Sequence, residues 1–227
     1  MIVAIDGPAG SGKSTVSRRL AERLGWRHLD TGAFYRAATL VVLRAGADPA
    51  DPTAVEEAVR GRRFRQANGS MLLDGEDVSA AIRTSLVDEN VSAVSAHPGL
   101  RSRMVIAQRN WVKDEHEDAV VEGRDIGTVV FPQAALKIWL AATPAERARR
   151  RATQTGEDPV RVEEELARRD EADATRLVSP QLPAADAIHL DTTFLTVDEV
   201  VDRIIDLVPS ERSDGEGGMR SSSSTQG

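Results

Sequence analysis

Apolar residues along the chain fall into two patterns. Met1–Ile5, Ala119–Val121, Leu136–Ala141 and Ala187–Leu190 are short unbroken runs, the pattern of strands buried on both faces of a parallel sheet. Trp26–Asp30 reads as one more short strand, which makes five. Between and after these runs the spacing turns helical. Lys13–Leu24 carries Val16, Leu20 and Leu24 on one face and is stopped by Gly25. Helices are also predicted over Thr31–Ala45, around Thr53–Gly61 after the Pro49 and Pro52 turn, and over Thr84–Ala96, Pro98–Lys113, Pro144–Gln154, Pro159–Asp173 and Val197–Val208. Strands alternating with helices predict an α/β fold, a parallel sheet covered on both faces.

Two stretches break the alternation. Arg63–Val78 has Asn68-Gly69 and Asp74-Gly75 turn signals around Met71-Leu72-Leu73, which predicts a small hairpin or antiparallel sheet. Val59–Ser92 is therefore read as a small inserted subdomain. Residues 209–227 are rich in Ser and Gly without periodicity and are expected to be disordered.

Composition narrows the class. A chain of 227 residues suits one compact domain with an insert, or at most two small domains. Aromatics are only 4% of residues, so aliphatic residues and alanine must fill the core. A net charge of -7 argues against general affinity for nucleic acid or an acidic membrane surface. The absence of cysteine excludes disulfides and thiolate metal sites and points to a reducing compartment. No apolar stretch is long enough to span a membrane, and Met1 runs straight into a core strand without a leader pattern. The expectation is a soluble, cytoplasmic monomer without nucleic-acid or membrane partners.

Candidate chemistry begins after the first strand. Gly7-Pro8-Ala9-Gly10-Ser11-Gly12-Lys13-Ser14 matches the phosphate-loop pattern G-x-x-x-x-G-K-[ST], between an apolar strand and an amphipathic helix. Glycines let backbone N–H groups turn inward around a phosphate, and the helix directs its positive end to the same place. Lys13 is expected to reach the β and γ phosphates, Ser14 to ligate Mg²⁺, and Thr15 to lie near the α phosphate. The plainer reading, a tight turn with a surface lysine, has strand, spacing and helix against it. A nucleoside triphosphate ligand follows, but no reaction.

Two reaction classes compete: phosphoryl transfer to a small acceptor, and a hydrolytic switch acting on a protein. The Asn-Lys-x-Asp tetrapeptide by which GTPases read guanine is absent. Arg36, Arg101, Arg124, Arg147, Arg150, Arg151, Arg169 and Arg176 sit near strand ends, turns or helical faces. Transfer between two phosphorylated molecules needs cations that cancel repulsion, and the planar guanidinium grips phosphate with two bonds. A phosphate acceptor, already largely dianionic at neutral pH, needs no general base. Arg149, Arg161 and Arg168 are better read as ordinary helix-face partners of nearby acids. Arg169, Asp173 and Arg176 share one helical face at i, i+4 and i+7; spacing alone leaves them equally readable as a nucleotide-binding face or a surface network. In Val120–Phe131, VVEGRDIGTVVF, an apolar run is interrupted by Glu122, Arg124 and Asp125, with glycines at 123 and 127, and such charge requires something to face.

At these residues the chain resembles bacterial cytidylate kinases, within the nucleoside monophosphate kinases. The resemblance rests on Gly7–Thr15, on Leu29-Asp30-Thr31-Gly32-Ala33-Phe34-Tyr35-Arg36, on Asp74–Ser79, and most specifically on Gly123–Pro132, GRDIGTVVFP. Arg168-Arg169-Asp170 with Asp173 and Arg176, and Pro183–Ala187, fit as well. It implies a P-loop three-layer α/β/α fold over residues 1–208, with a core of 1–58 and 93–208, a CMP-binding insert at about 59–92 and a helical lid at about 147–165. It implies MgATP-dependent phosphorylation of CMP and dCMP, with UMP a poorer acceptor. By the same resemblance Arg36, Arg124 and Arg176 clamp the acceptor phosphate, Ser92, Arg101 and Asp125 read cytosine with help from Thr31, and Arg169 and Asp173 hold the ribose. Arg147 and Arg151 fall where lid arginines approach the transferred group. A carboxylate suits cytosine because it accepts from the N4 amino group, whereas the O4 of uracil would meet it lone pair to lone pair. The lid segment Ala152–Val162 and the insert near Arg63–Leu73 are shorter than usual for the family, and Thr31 stands where serine is common. Glu122 is left between two roles, orienting Arg124 or lying near the water shell of magnesium. His28, His97, His116 and His189 lack metal spacing and are read as structural, Trp26, Trp111 and Trp139 as core or interface, and Phe34 and Tyr35 as possible packing of the helix onto the sheet.

Overall fold

A computed structural model describes residues 1–115, 118–176 and 178–209. His116 and the tail from Ser210 onward, which carry expectations from the sequence, lie outside the described residues. In chain order the elements are β1 (Ile2–Asp6), α1 (Lys13–Leu24), β2 (Arg27–Asp30), α2 (Thr31–Arg44), α3 (Pro52–Val59), β3 (Phe64–Ala67), β4 (Ser70–Leu73), β5 (Glu76–Asp77), α4 (Ser85–Ser95), α5 (Pro98–Glu115), β6 (Ala119–Gly123), β7 (Leu136–Ala141), α6 (Pro144–Thr155), α7 (Pro159–Ala174), β8 (Ile188–Asp191) and α8 (Val197–Ile205).

Five strands form a parallel sheet in the order β2-β6-β1-β7-β8. Alternation along the pleat sends residues to two cores. Ala4, Leu29 and Val121 pack with Phe34, Ala38 and Met104 from α2 and α5. Val3, Ile5, Val120 and Ile138 pack on the other face with Val16 and Leu20 of α1 and Val201 and Ile204 of α8. The result is the expected α/β/α layering.

Local signals explain the element ends. The Asp30 side chain caps α2 by accepting the Ala33 N–H at 3.1 Å, and Asp51 caps α3 through Thr53 and Ala54. The expected hairpin is a three-stranded antiparallel sheet, β3-β4-β5. Asn68 and Gly69 both take left-handed φ angles, 50° and 79°, as a two-residue turn matched to strand twist requires. The hairpin of α6 and α7 is closed by the short segment Gly156–Asp158, with Gly156 left-handed at φ 75°.

Two strands run further than the apolar pattern suggested. β1 includes Asp6, and β6 includes Glu122 and Gly123. Both carboxylates are buried, at 5% and 2% exposure, so the chain carries charge into the interior at the carboxyl edge of the sheet. After β6 the chain makes a five-residue π turn, Ile126–Val130, with the Phe131 N–H donating to Ile126 O at 2.7 Å. The Asp6 carboxylate secures that turn by accepting the N–H groups of Ile126 and Gly127, each at 2.8 Å.

Burial raises the Asp6 carboxyl from 3.8 to about 6, against the pull of those two N–H groups. A carboxyl raised in the folded state contributes stability that is present below the unfolded value and lost as pH rises through the folded one. Urea unfolding of the native chain and Asp6→Asn between pH 4 and 6.5 tests this. The stability of the native chain relative to the variant is expected to fall by about 2 kcal/mol across that window. A flat difference would show that Asp6 titrates normally.

Candidate active site

The phosphate loop is shaped by close approach. A Cβ on Gly7 would collide with the carbonyl oxygen of Leu140, so β7 leaves room for glycine alone. Gly12 takes φ 91° and opens α1 with no side-chain cap, which leaves the first N–H groups of the helix to face a ligand. Lys13 is partly buried, and its ammonium donates to Pro8 O at 2.7 Å. Burial, and next the Arg124 charge, lower it to about 7, while Glu122 and Asp6 oppose the shift. A polyphosphate at the loop would supply the anionic partner that favours the charged amine.

Beside the loop, Ser14 donates its hydroxyl to Glu122 Oε2 at 2.8 Å. Glu122 Oε1 lies 3.2 Å from His28 Nε2, which is also 3.0 Å from the Ser17 hydroxyl. Of the two roles open to Glu122, the geometry joins it to Ser14 rather than to Arg124. Among the described residues no group of three His, Cys, Asp or Glu could hold a metal by itself. A hydroxyl with one carboxylate is nevertheless a donor set that fits Mg²⁺, which keeps waters and takes its other ligands from phosphate oxygens.

A cavity of ≈ 780 Å³ runs from the loop across the ends of β1 and β6. Gly10 through Thr15, Thr31, Arg36, Ser92, Arg101, Arg124, Asp125, Arg151, Arg169, Asp173 and Arg176 line it. At its far end Arg101 and Asp125 form a buried ion pair at 2.5 Å, with side-chain exposures of 3% and 5%. Arg101 also donates to Ser95 O at 3.1 Å. Ser95 Oγ accepts from Arg176, whose other partner is Asp173. Arg124 reaches Asp173 at 3.2 Å and Gln181 Oε1 at 3.0 Å. Arg36 and Arg151 both pair with Asp88. The Arg169 Nε is buried without a partner, and burial followed by the Arg124 charge lowers the group to about 10. Burial likewise lowers Arg176. These cations are crowded enough that an anion among them would relieve both effects. Thr31 uses its hydroxyl on Glu122 O, at 2.6 Å.

Arg147 is brought elsewhere. Its guanidinium donates to Ala9 O at 3.0 Å and to Ala142 O at 3.3 Å and pairs with Asp170, so it braces the outside of the phosphate loop and does not line the cavity. Arg150 lines the cavity, pairs with Glu146 at 2.8 Å and also donates to Thr192 O at 2.6 Å. Residues that sequence reasoning passed over include Asp6, Asp88 and Gln181, and Asp170, named there only as part of a motif, is the partner of Arg147. Asp88 lies one turn before Ser92 on α4 and could have been found by that spacing. Gln181 carries no sequence signal.

A phosphate loop at the end of a central parallel strand, facing a second arginine-lined pocket in the same cleft, defines a P-loop kinase of the nucleoside monophosphate kinase class. A family model described as Cytidylate kinase matches residues 3–210. A cytidylate kinase of Nocardia farcinica is 50% identical over 224 residues, 95% of this chain and 96% of the relative. One of Mycobacterium leprae is 51% identical over 213 residues, 92% of this chain and 95% of the relative. The chain belongs to the cytidylate kinase family. Its fold is similar to crystal structures of an uncharacterized protein from Eubacterium ventriosum (TM-score 0.51, 14% identity, 92% of this chain and 98% of that one) and of a Thermus thermophilus protein (0.51, 16%, the same coverages).

The Ser14–Glu122 contact makes Mg²⁺ binding the property to measure. Glu122→Gln is expected to weaken Mg²⁺-dependent tightening of ATP binding by about tenfold or more, the usual size of such supporting effects, and to leave metal-free ATP binding unchanged. Calorimetric titration with and without Mg²⁺ separates the two; equal loss in both would make Glu122 a packing residue.

Proposed function

We propose that the protein transfers the γ-phosphoryl group of MgATP to CMP or dCMP, giving ADP and CDP or dCDP. The observation that carries this reading is the buried Arg101–Asp125 pair at the end of the cavity opposite the phosphate loop. A guanidinium and a carboxylate side by side offer donors for O2 and N3 of cytosine and an acceptor for N4. Uracil would leave the carboxylate unpaired, which makes its rejection strong. Membership of the cytidylate kinase family supports the same assignment.

In this reading Gly7–Thr15 hold ATP, with Lys13 on the β and γ phosphates. Ser14 ligates Mg²⁺ beside Glu122, and the metal when bound draws charge from the phosphate oxygens. Arg36, Arg124 and Arg176 hold the acceptor phosphate. Ser92 and Thr31 assist Arg101 and Asp125 at the base, and Arg169 and Asp173 hold the ribose. The acceptor phosphate attacks as it stands, so these side chains contribute alignment and charge cancellation rather than proton transfer. The hairpin of α6 and α7 acts as the lid over about 147–165, with Arg151 as its cation over the transferred group. Arg147 then acts indirectly, by holding Ala9 and Asp170. The segment at about 59–92 acts as the acceptor-side insert, and Asp88 joins it to the core through Arg36 and to the lid through Arg151.

Coupled ADP release measured with CMP, dCMP, UMP, AMP and no acceptor tests the reading. CMP and dCMP are expected to be the best acceptors. AMP outperforming CMP, or release independent of acceptor, would overturn it. Arg124→Ala is expected to cost about 2 kcal/mol or more in kcat/KM for CMP, the scale of a charge-assisted bond. Asp125→Ala is expected to lower turnover with CMP far more than it weakens ATP binding; equal losses in both would assign Asp125 to structure.

A further inference from the structure

One face of α4 carries Asp88, Ser92 and Ser95, at i, i+4 and i+7. Ser92 and Ser95 line the cavity, and Ser95 Oγ accepts from Arg176. Asp88 does not line the cavity, but two arginines that do, Arg36 and Arg151, both reach back to it. Asp88 Oδ1 accepts from Arg36 Nη2, and Asp88 Oδ2 accepts from Arg151 Nη2 at 3.1 Å. Each oxygen of one carboxylate is thus given to a different cation, one on α2 and one on α6.

The two arginines depend on this carboxylate unequally. Arg36 also donates through Nη1 to Ile82 O at 3.1 Å, so a second contact ties it to the segment before α4. Arg151 has no other side-chain hydrogen bond or ion pair among the described residues. A long side chain held by a single contact loses its place when that contact goes. Attraction to the positive end of α4 would explain an acid in its first turn. It would not explain why both oxygens are engaged by arginines from two other helices.

We propose that Asp88 is a positioning residue for phosphoryl transfer, which touches neither nucleotide and holds the Arg151 guanidinium at a fixed place relative to Arg36. This inference rests on the reading of Arg36 as an acceptor-phosphate cation and of Arg151 as the cation over the transferred group. The two cations then serve the two phosphoryl groups that must meet, and one carboxylate sets the separation between them. The aspartate side chain is short and is carried on a helix, so α4 fixes that separation from the acceptor side. Without the carboxylate, Arg36 keeps Ile82 O, and the acceptor still finds its cation. Arg151 keeps nothing, and the charge over the transferred group is misplaced when transfer must occur.

The test measures the single-turnover rate of transfer from MgATP to CMP, KM for CMP and calorimetric binding of MgADP. It compares the native chain, Asp88→Asn, Arg151→Ala and the double variant. Asp88→Asn is expected to slow transfer by about tenfold or more, with KM for CMP and Kd for MgADP within about twofold of native. In the Arg151→Ala background the same change is expected to slow transfer by less than about twofold, because the two residues act through one contact. Glu89→Gln, which removes an exposed acid from the same end of α4, is expected to transfer at the native rate. A native rate in Asp88→Asn overturns the proposal, as does a rise in KM for CMP larger than the loss of rate. The full loss recurring in the Arg151→Ala background, or an equal loss in Glu89→Gln, also overturns it, since Asp88 would then act through the helix and not through Arg151. If Asp88→Asn fails to fold, Asp88→Glu, which keeps the charge and advances it by one methylene, decides: slowed transfer supports the proposal and a native rate overturns it. A native chain that prefers AMP, or needs no acceptor, overturns the functional reading and this inference with it. A native chain that prefers CMP while Asp88→Asn keeps the native rate overturns the inference only.

Discussion

The Asp6 carboxylate joins the two halves of the site. It stands at the end of β1, where the phosphate loop begins, and holds the N–H groups of Ile126 and Gly127, where the acceptor-side turn begins. One buried side chain thus fixes the spacing between the loop and the Arg124-Asp125 pair. In-line transfer depends on that spacing, because misplacement by about an ångström can cost a hundredfold in rate. β1 and β6 are neighbours in register, Asp6 beside Gly123, so the distance is set by a strand pair and not by flexible loops. A Cβ on Gly123 would press on the Thr31 hydroxyl and the Ile126 side chain, which is why the strand can pass so close to α2 and to the π turn.

The second constraint is electrostatic. Arg36, Arg101, Arg124, Arg151, Arg169 and Arg176 surround one cleft in a protein of net charge -7. Concentrating like charges away from water is unfavourable unless acids are interleaved. Asp173 lies between Arg124 and Arg176, Asp88 between Arg36 and Arg151, and Asp125 against Arg101. Arg169 lacks so close a partner among the described residues, and it is the arginine of this set with the largest displacement from its ordinary ionisation. The overall negative charge and the cationic cleft are compatible because the acids that outnumber the bases lie largely on exposed helix faces such as those of α7 and α8.

Much of this was legible in the sequence because it depends on local pattern. Strand runs, helical spacing, glycine stops and the phosphate loop are each contained within a few residues, and the fold followed from them. The cleft-lining arginines were legible through their motifs. Arg147 was not, because Arg147 and Arg151 lie one turn apart on α6 and spacing cannot say which neighbour each guanidinium meets. The answer came from Asp170, on a different helix, which draws Arg147 to the back of the loop. Asp6 and Gln181 were illegible for the same reason. Their partners are 120 and 57 residues distant, and a single acid at the end of an apolar run looks like an ordinary strand stop.

The interruption in VVEGRDIGTVVF shows how one tetrapeptide, Glu122–Asp125, can serve three directions. Glu122 is still in the strand, so its side chain takes the pleat toward α1 and meets Ser14 and His28. Gly123 pairs with Asp6, and its lack of a side chain lets the chain leave the sheet. Arg124 then projects toward α7 and meets Asp173, while Asp125, at the mouth of the π turn, is directed at Arg101 on α5. The π turn follows directly, with Val130 and Phe131 bonding five residues back to Asp125 and Ile126. The charges that break the apolar run are therefore distributed by backbone geometry toward Ser14, Asp173 and Arg101, three parts of one cleft, and the sheet edge where they emerge is the place at which open α/β folds bind their ligands.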